Sequence, residues 1–164
     1  MNSGGTSRAR QDTLAKGIKL VGHHVGESPN GELRVEAKIA CEGRTFSGTA
    51  TGSATLPDRL KIPALATLRA LGACLQSSYT GAAQPSLVLD DVSDVAVGDF
   101  PVAVVMITAS EKAGSTPVVA ACPLVGMSDL AIILATLQAT TRIVTHWLSG
   151  AGRSSPEEGP DGQQ

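Results

Sequence analysis

The sequence predicts an α+β fold: duplicated βββα units related by a pseudo-twofold, with mostly antiparallel sheet and two main helices. Three observations predict it. Leu33, Val35, Ala37 and Ile39 alternate with Arg34, Glu36 and Lys38, the period of two of a half-buried strand. Leu65, Leu68, Leu71 and Leu75, and later Leu130, Ile133, Leu134, Leu137, Thr141, Val144 and Leu148, fall at helical spacing. The order of signals in residues 17–78 then recurs in residues 85–148.

Taken in order, Ile18–Glu27 is a strand with apolar Ile18, Leu20 and Val25, closed by the turn Ser28-Pro29-Asn30-Gly31. The alternating strand around Val35 follows. Glu42-Gly43 makes a tight turn into Arg44–Ser53, a hairpin partner rich in Thr and Gly. After a loop with Pro57, Pro63 suits the first turn of a helix carrying the leucine face. In the second half, Leu87–Val97 and Phe100–Ala109 read as strands. The near-continuous apolar run Val102–Ile107 predicts a strand covered on both faces. A turn over Ser110–Ser115, around Gly114, returns the chain as Thr116–Pro123. Ser128 is an N-cap, Asp129 favours the positive helix end, and the last helix stops at Ser149-Gly150.

The halves superimpose with small changes of offset. Val21–Val25 matches Val88–Val92, and Val35–Ile39 matches Val102–Met106, both 67 residues on. Gly43 matches Gly114 at 71, implying a second hairpin turn four residues longer, and Ala66–Ala70 matches Ala135–Ala139 at 69. One three-stranded sheet with one helix buries too little apolar surface to stand alone, so the units must share a core. Apolar surface left over suits a homodimer.

The chain has 164 residues, 42% hydrophobic, with 22 Ala and 18 Gly but only four aromatics, Phe46, Tyr79, Phe100 and Trp147. That length fits one ordinary domain over residues 17–148, flanked by disordered tails at 1–16 and 149–164. Four rings, split evenly between the halves, are packing residues and too few for a nucleic-acid stacking platform. A net charge of −2 supplies no basic footprint for phosphate backbones. Val102–Ile107 and Leu130–Leu137 are far shorter than the roughly 20 residues of a membrane span. Cys41, Cys74 and Cys122 form no CxxC, and an odd, widely spaced set suits buried thiols in a reducing cytoplasm.

The run Gly43–Gly52 (GRTFSGTATG), the polar loop after it and the Ala/Leu helix Pro63–Leu75 resemble the C-terminal regulatory domain of 2-isopropylmalate synthases. The resemblance covers residues 17–148: Leu87–Val97 is similar to that domain's middle strand, Val102–Ile107 with Thr116–Gly126 to its second hairpin, and Asp129–Val144 to its closing helix. Two departures stand out. The family's Gly-Pro-Val-Asp-Ala ahead of a helix is here Ser53–Leu60 (SATLPDRL), and the catalytic barrel is absent. The resemblance implies two βββα units, dimerisation, and binding of leucine or a related effector near the loops preceding the helices. By position those loops are Gly52–Leu60 and Leu124–Asp129, with Gly52, Ser53, Thr55, Asp58, Arg59, Leu124, Gly126, Ser128 and Asp129 as candidate ligand-binding residues.

Chemistry is otherwise sparse. Asp58, Arg59 and Lys61, with Arg69, suit a carboxylate or phosphate held by charge-assisted hydrogen bonds, or else a solvated loop. His23-His24 and the matching Asp90-Asp91 offer metal-ligand types, but neighbours on a strand point to opposite faces, so at most one of each pair converges. Cys122 lacks an evident base, because nothing brings His146 close to it. Trp147 is a packing anchor or dimer contact. No phosphate loop, dinucleotide fingerprint or GxSxG elbow occurs. The expectation is a non-catalytic module without cofactor that senses a small metabolite (an amino acid or 2-oxo acid) or dimerises. Its partners would include no nucleic acid and no membrane. The alternatives are a subunit that regulates a separate enzyme in trans, or a small metal- or thiol-dependent enzyme.

Overall fold

Alternation along β2 (Glu32–Cys41) decides how the first sheet faces the core. Leu33, Val35, Ala37, Ile39 and Cys41 are buried, while Glu32, Arg34 and Lys38 are exposed. β1 (Lys19–Glu27) and β3 (Arg44–Ser53) flank it antiparallel in the order β1-β2-β3, with Glu42-Gly43 as a two-residue turn and both residues at positive φ. α1 (Asp58–Ser78) covers the apolar face. The computed structural model describes residues 17–80, 84–126 and 128–150; the tails expected at 1–16 and 149–164 lie outside the described residues, except for Ser149 and Gly150, which are helical.

The second unit repeats this plan. β4 (Ser86–Val97), β5 (Phe100–Glu111) and β6 (Gly114–Pro123) form a separate antiparallel sheet, β4-β5-β6, and α2 (Ser128–Gly150) lies on β5 and β6. The chain is therefore a duplicated βββα fold with pseudo-twofold symmetry, as its sequence predicts. α1 and α2 pack side by side, α1 also touches β4, and α2 touches β1. Residues of both sheets and both helices enter one apolar cluster, which includes Val35, Ile39, Leu71, Val105, Ile107, Ile133 and Trp147.

The helix alignment at 69 residues holds in detail. Leu60, Pro63, Ala64, Ala66, Thr67, Leu68, Leu71 and Leu75 are buried, and so is each residue 69 further on. Thr67 donates to the carbonyl of Pro63 at 2.8 Å, and its counterpart Thr136 donates to Ile132 at 2.7 Å. The strand alignment at 67 does not hold. It sets buried Val35 on half-buried Val102, and a one-residue slip reverses the faces of a strand. Each first strand carries a bulge, at Val21 and at Asp90, opposite Ile39 and Ile107; these core residues are 68 apart, which restores the parity. Nor is the second hairpin turn longer. Lys112-Ala113 is again a two-residue turn, and the added length lies in β4 and β5, each 12 residues.

Other expectations need correction. α1 begins at Asp58, so Pro63 is inside the helix instead of at its start; Arg59 N–H to Thr55 O (3.1 Å) and Leu60 N–H to Pro57 O (3.2 Å) close the first turn earlier. Pro63 has no amide to return to the carbonyl four residues back, a loss tolerated so close to the helix start. The described part of α2 reaches Gly150, in agreement with the expected Ser149-Gly150. Cys41 and Cys74 are not thiols: they form a disulfide, Cα–Cα 6.7 Å, that ties the end of β2 to α1, and Cys122 alone is a free cysteine. Phe100 is not a packing residue, since it is 65% exposed at the β4–β5 turn. No helix among the described residues is long and apolar enough to cross a membrane.

One contact sets how closely α1 lies on its sheet. A Cβ at Gly48 would overlap Ala66 O and Ala70 N and lie 2.9 Å from Arg69 C, all backbone atoms that cannot move alone. Gly48→Ala should lower unfolding stability by about 1–3 kcal/mol or more. Gly72→Ala, in α1 with nothing within 4 Å of the new methyl, should raise it by about 0.5–1 kcal/mol. Urea midpoints that move the same way in both variants would contradict this contact. For the disulfide, which spans 33 residues, reduction should cost about 3–4 kcal/mol on the loop-entropy model. Denatured, unreduced protein should titrate with one free thiol, and three would show the bond absent.

Candidate functional site

The loops before the two helices come together at one end of the helix pair. Arg59, second residue of α1, sets Nη2 3.5 Å from Asp129 Oδ2 on the first turn of α2, and Nη1 3.6 Å from Glu27 Oε2 at the end of β1. At the opposite end the Tyr79 hydroxyl, just after α1, donates to Trp147 O near the end of α2 at 2.9 Å. Like ends are therefore paired, and α1 and α2 run in the same direction. Both positive helix ends converge where Arg59 sits, a concentration of positive potential that two carboxylates partly offset.

Asp129 is the residue that breaks the internal symmetry. At the offset of 69 its counterpart is Leu60, and both positions are buried, at 9% and 8% exposure. The second unit thus places a carboxylate where the first places a core leucine. A buried carboxylate needs a partner, and Arg59 supplies it from the other unit. Sequence reasoning places Glu27 at the end of the first strand but not beside the helix starts, because no pattern shows that this strand end meets Arg59. Asp129 against Leu60, in contrast, is legible once the helices are aligned.

The remaining expected residues surround this junction to different degrees. Ser53 Oγ and Thr55 Oγ1 are 2.6 Å apart in the turn leading to α1, and Asp58 is exposed in its first turn. Gly52 packs against α1: a Cβ there would lie 3.1 Å from Ile62 Cδ1. Leu124 N–H bonds Pro101 O at 2.8 Å, Gly126 takes φ +78°, and Ser128 opens α2. Two expected cations are engaged elsewhere. Arg69 donates to Thr49 O on β3 at 2.5 Å, and Lys61 Nζ lies 3.8 Å from Asp91 Oδ1.

The expected metal set is dispersed over two sheets. His23 and His24 line a shallow hollow on sheet β1-β2-β3 with Gly22, Glu36 and Lys38. Asp90 accepts from Thr108 at 2.7 Å. Asp91 accepts from Ser93 at 2.7 Å, which holds its carboxyl below the usual range; partial burial opposes this, while the Val92 amide and Lys61 add to it. Among the described residues no group of three or more His, Cys, Asp or Glu is arranged to hold a metal ion.

Cys122 and His146 lie on separate features. The Cys122 thiol donates to Ala131 O at 3.0 Å, and burial pushes its pKa up, the reverse of an activated nucleophile. His146 lines a cavity of about 410 Å³ between α2 and β6, with Val118, Ala139, Arg142 and Ile143. Trp147 is 3% exposed and belongs to the core. Iodoacetamide should therefore modify Cys122 in the folded, unreduced protein at least about tenfold more slowly than an unfolded cysteine peptide at pH 7.5. Modification at the peptide's rate would reveal an accessible, reactive thiol.

No protein-family model matches the chain, and no curated protein matches it. The architecture, duplicated βββα, is consistent with small regulatory α+β domains.

Proposed function

We propose that this chain is a non-catalytic binding module that senses a small zwitterionic metabolite, of the amino-acid class, where the two helix starts meet. The observation that carries this reading is the Glu27–Arg59–Asp129 cluster, built from both units and centred on a carboxylate that replaces a core leucine. Its chemistry suits a ligand bearing both charges. Arg59 and the converging helix starts favour a carboxylate, and Glu27 with Asp129 favours an ammonium. A 2-oxo acid offers only the first half of that match and should bind less tightly. Apolar Leu56 and Val125, exposed in the two loops at 67% and 73%, would meet the ligand's side chain.

The raised thiol pKa at Cys122 and the dispersal of His23, His24, Asp90 and Asp91 favour this reading over a thiol or metal enzyme. The proposal also includes a cytoplasmic setting; the Cys41–Cys74 disulfide, of a kind that persists in oxidising compartments, is the observation against that part.

Thermal unfolding against a panel of L-amino acids and 2-oxo acids tests the site. A ligand at a hundredfold excess over its Kd should add about 2.7 kcal/mol, raising Tm by several degrees. Asp129→Leu copies the first unit's residue, so it should fold normally and lose the response. A panel that moves Tm nowhere at millimolar concentration, or a response that survives Asp129→Leu, would overturn the assignment.

A further inference from the structure

The outer faces of the two sheets differ in a way the internal repeat makes meaningful. Opposite the core, β2 presents Glu32, Arg34, Glu36 and Lys38, paired across to Ser53, Thr51, Thr49 and Ser47 of β3. Such a face is at home in water. The corresponding face of β5 presents Phe100, Val102, Val104, Met106 and Thr108, and β6 opposes these with Pro123, Ala121, Val119 and Pro117. These positions carry no charge. Within this face Phe100 is 65% exposed, Val119 56% and Met106 42%, and Val95 and Val97 of β4 extend it at 39% and 60%. The expectation that β5 is covered on both faces is thus met on one side only within a single chain.

We propose that a second copy of this chain covers that face, the two β4-β5-β6 sheets packing against one another about a twofold axis. Four arguments select this occupant. A twofold contact sets a surface against itself, so it requires a face that does not repel itself; the neutral β5–β6 surface qualifies, whereas a row of Glu and Arg must find matching charges. The size is suitable. Three strands of 10 to 12 residues span roughly 15 Å by 35 Å, about 500 Å² in plan and more with side-chain relief, against ~600–1,000 Å² per partner in stable complexes. The composition is that of an interface centre, with Phe, Met and Val and no charged residue at the outward positions of β5 and β6; Asp90 and Asp91 of β4 stand at its edge, hydrogen-bonded to Thr108 and Ser93. Finally, residues 1–16 and 151–164 are poorly suited to it, holding only Met1, Leu14, Ala9, Ala15 and Ala151 as apolar residues.

Sedimentation equilibrium of the full chain tests this, and the measurement does not depend on any ligand. Wild type should be a dimer at tens of micromolar, and Val119→Glu should weaken dimerisation at least about a hundredfold while keeping its far-ultraviolet spectrum. Thr49→Glu, at the outer face of the first sheet, should leave the dimer intact. If Val119→Glu does not fold, oxidation of Met106 by hydrogen peroxide in the wild type decides instead: it should be slow in the dimer and accelerate on dilution. A monomeric wild type at about 100 μM, a dimer unaffected by Val119→Glu, or concentration-independent oxidation of Met106 would overturn the proposal.

Discussion

Everything in this fold depends on the seam between α1 and α2. Each sheet has three strands and one helix to cover them, too little apolar area to outweigh the entropy of ordering some sixty residues. Side by side, the helices close a single core that draws on both sheets, and Trp147, Ile133 and Leu71 are buried in it. The seam is fastened near each end by a contact between units: Arg59 with Asp129 at one, Tyr79 with Trp147 at the other. Because these join like ends, the pseudo-twofold runs along the helices. That direction is what brings the two pre-helix loops to one place.

Small residues make the close approach possible, which gives the alanine- and glycine-rich composition a physical reason. Ala64, Ala66 and Ala70 of α1 are fully buried, and the backbone at Ala66 and Ala70 lies so near Gly48 that no side chain fits between. The disulfide from Cys41 to Cys74 fixes the same helix to the same sheet farther along. In the second unit the helix rests on the sheet over Ala103, Val105, Ile107 and Ala120 without such a glycine contact or disulfide among the described residues. The two halves share a plan and differ in how tightly it is drawn.

Much of the plan was legible in the chain because burial leaves periodic traces. β2 showed its faces through strict alternation, and the helix alignment at 69 residues followed from Ala-Thr-Leu runs whose threonines prove to make equivalent backbone bonds. What stayed hidden has physical causes. Strand identities such as Val35 with Val102 could not reveal parity, because β5 is apolar on both faces and any register looks hydrophobic. The start of α1 was masked by Pro63, a residue that usually opens helices and here sits a turn and a half inside. A disulfide between residues 33 apart depends on where a helix docks, which no spacing rule encodes. At the candidate site, the loops could be placed by position alone, but Glu27 enters only through the geometry of the β1 end.

Internal duplication also supplies a control that a single sequence ordinarily lacks. Where both units carry equivalent residues, as at Thr67 and Thr136, the shared architecture accounts for them. Where they differ at matched positions, the architecture does not, since the other unit folds with a different residue. Two differences stand out by this criterion. Asp129 is charged where Leu60 is apolar, although both are buried; and the outer face of β5 is apolar where that of β2 is charged, although neither covers the core. The first runs against the preference of a core for apolar groups and the second against the preference of a surface for polar ones. Departures in opposite directions have no common cause in composition drift. Each is expected if something outside the single chain, a charged ligand at one place and an apolar surface at the other, completes the environment.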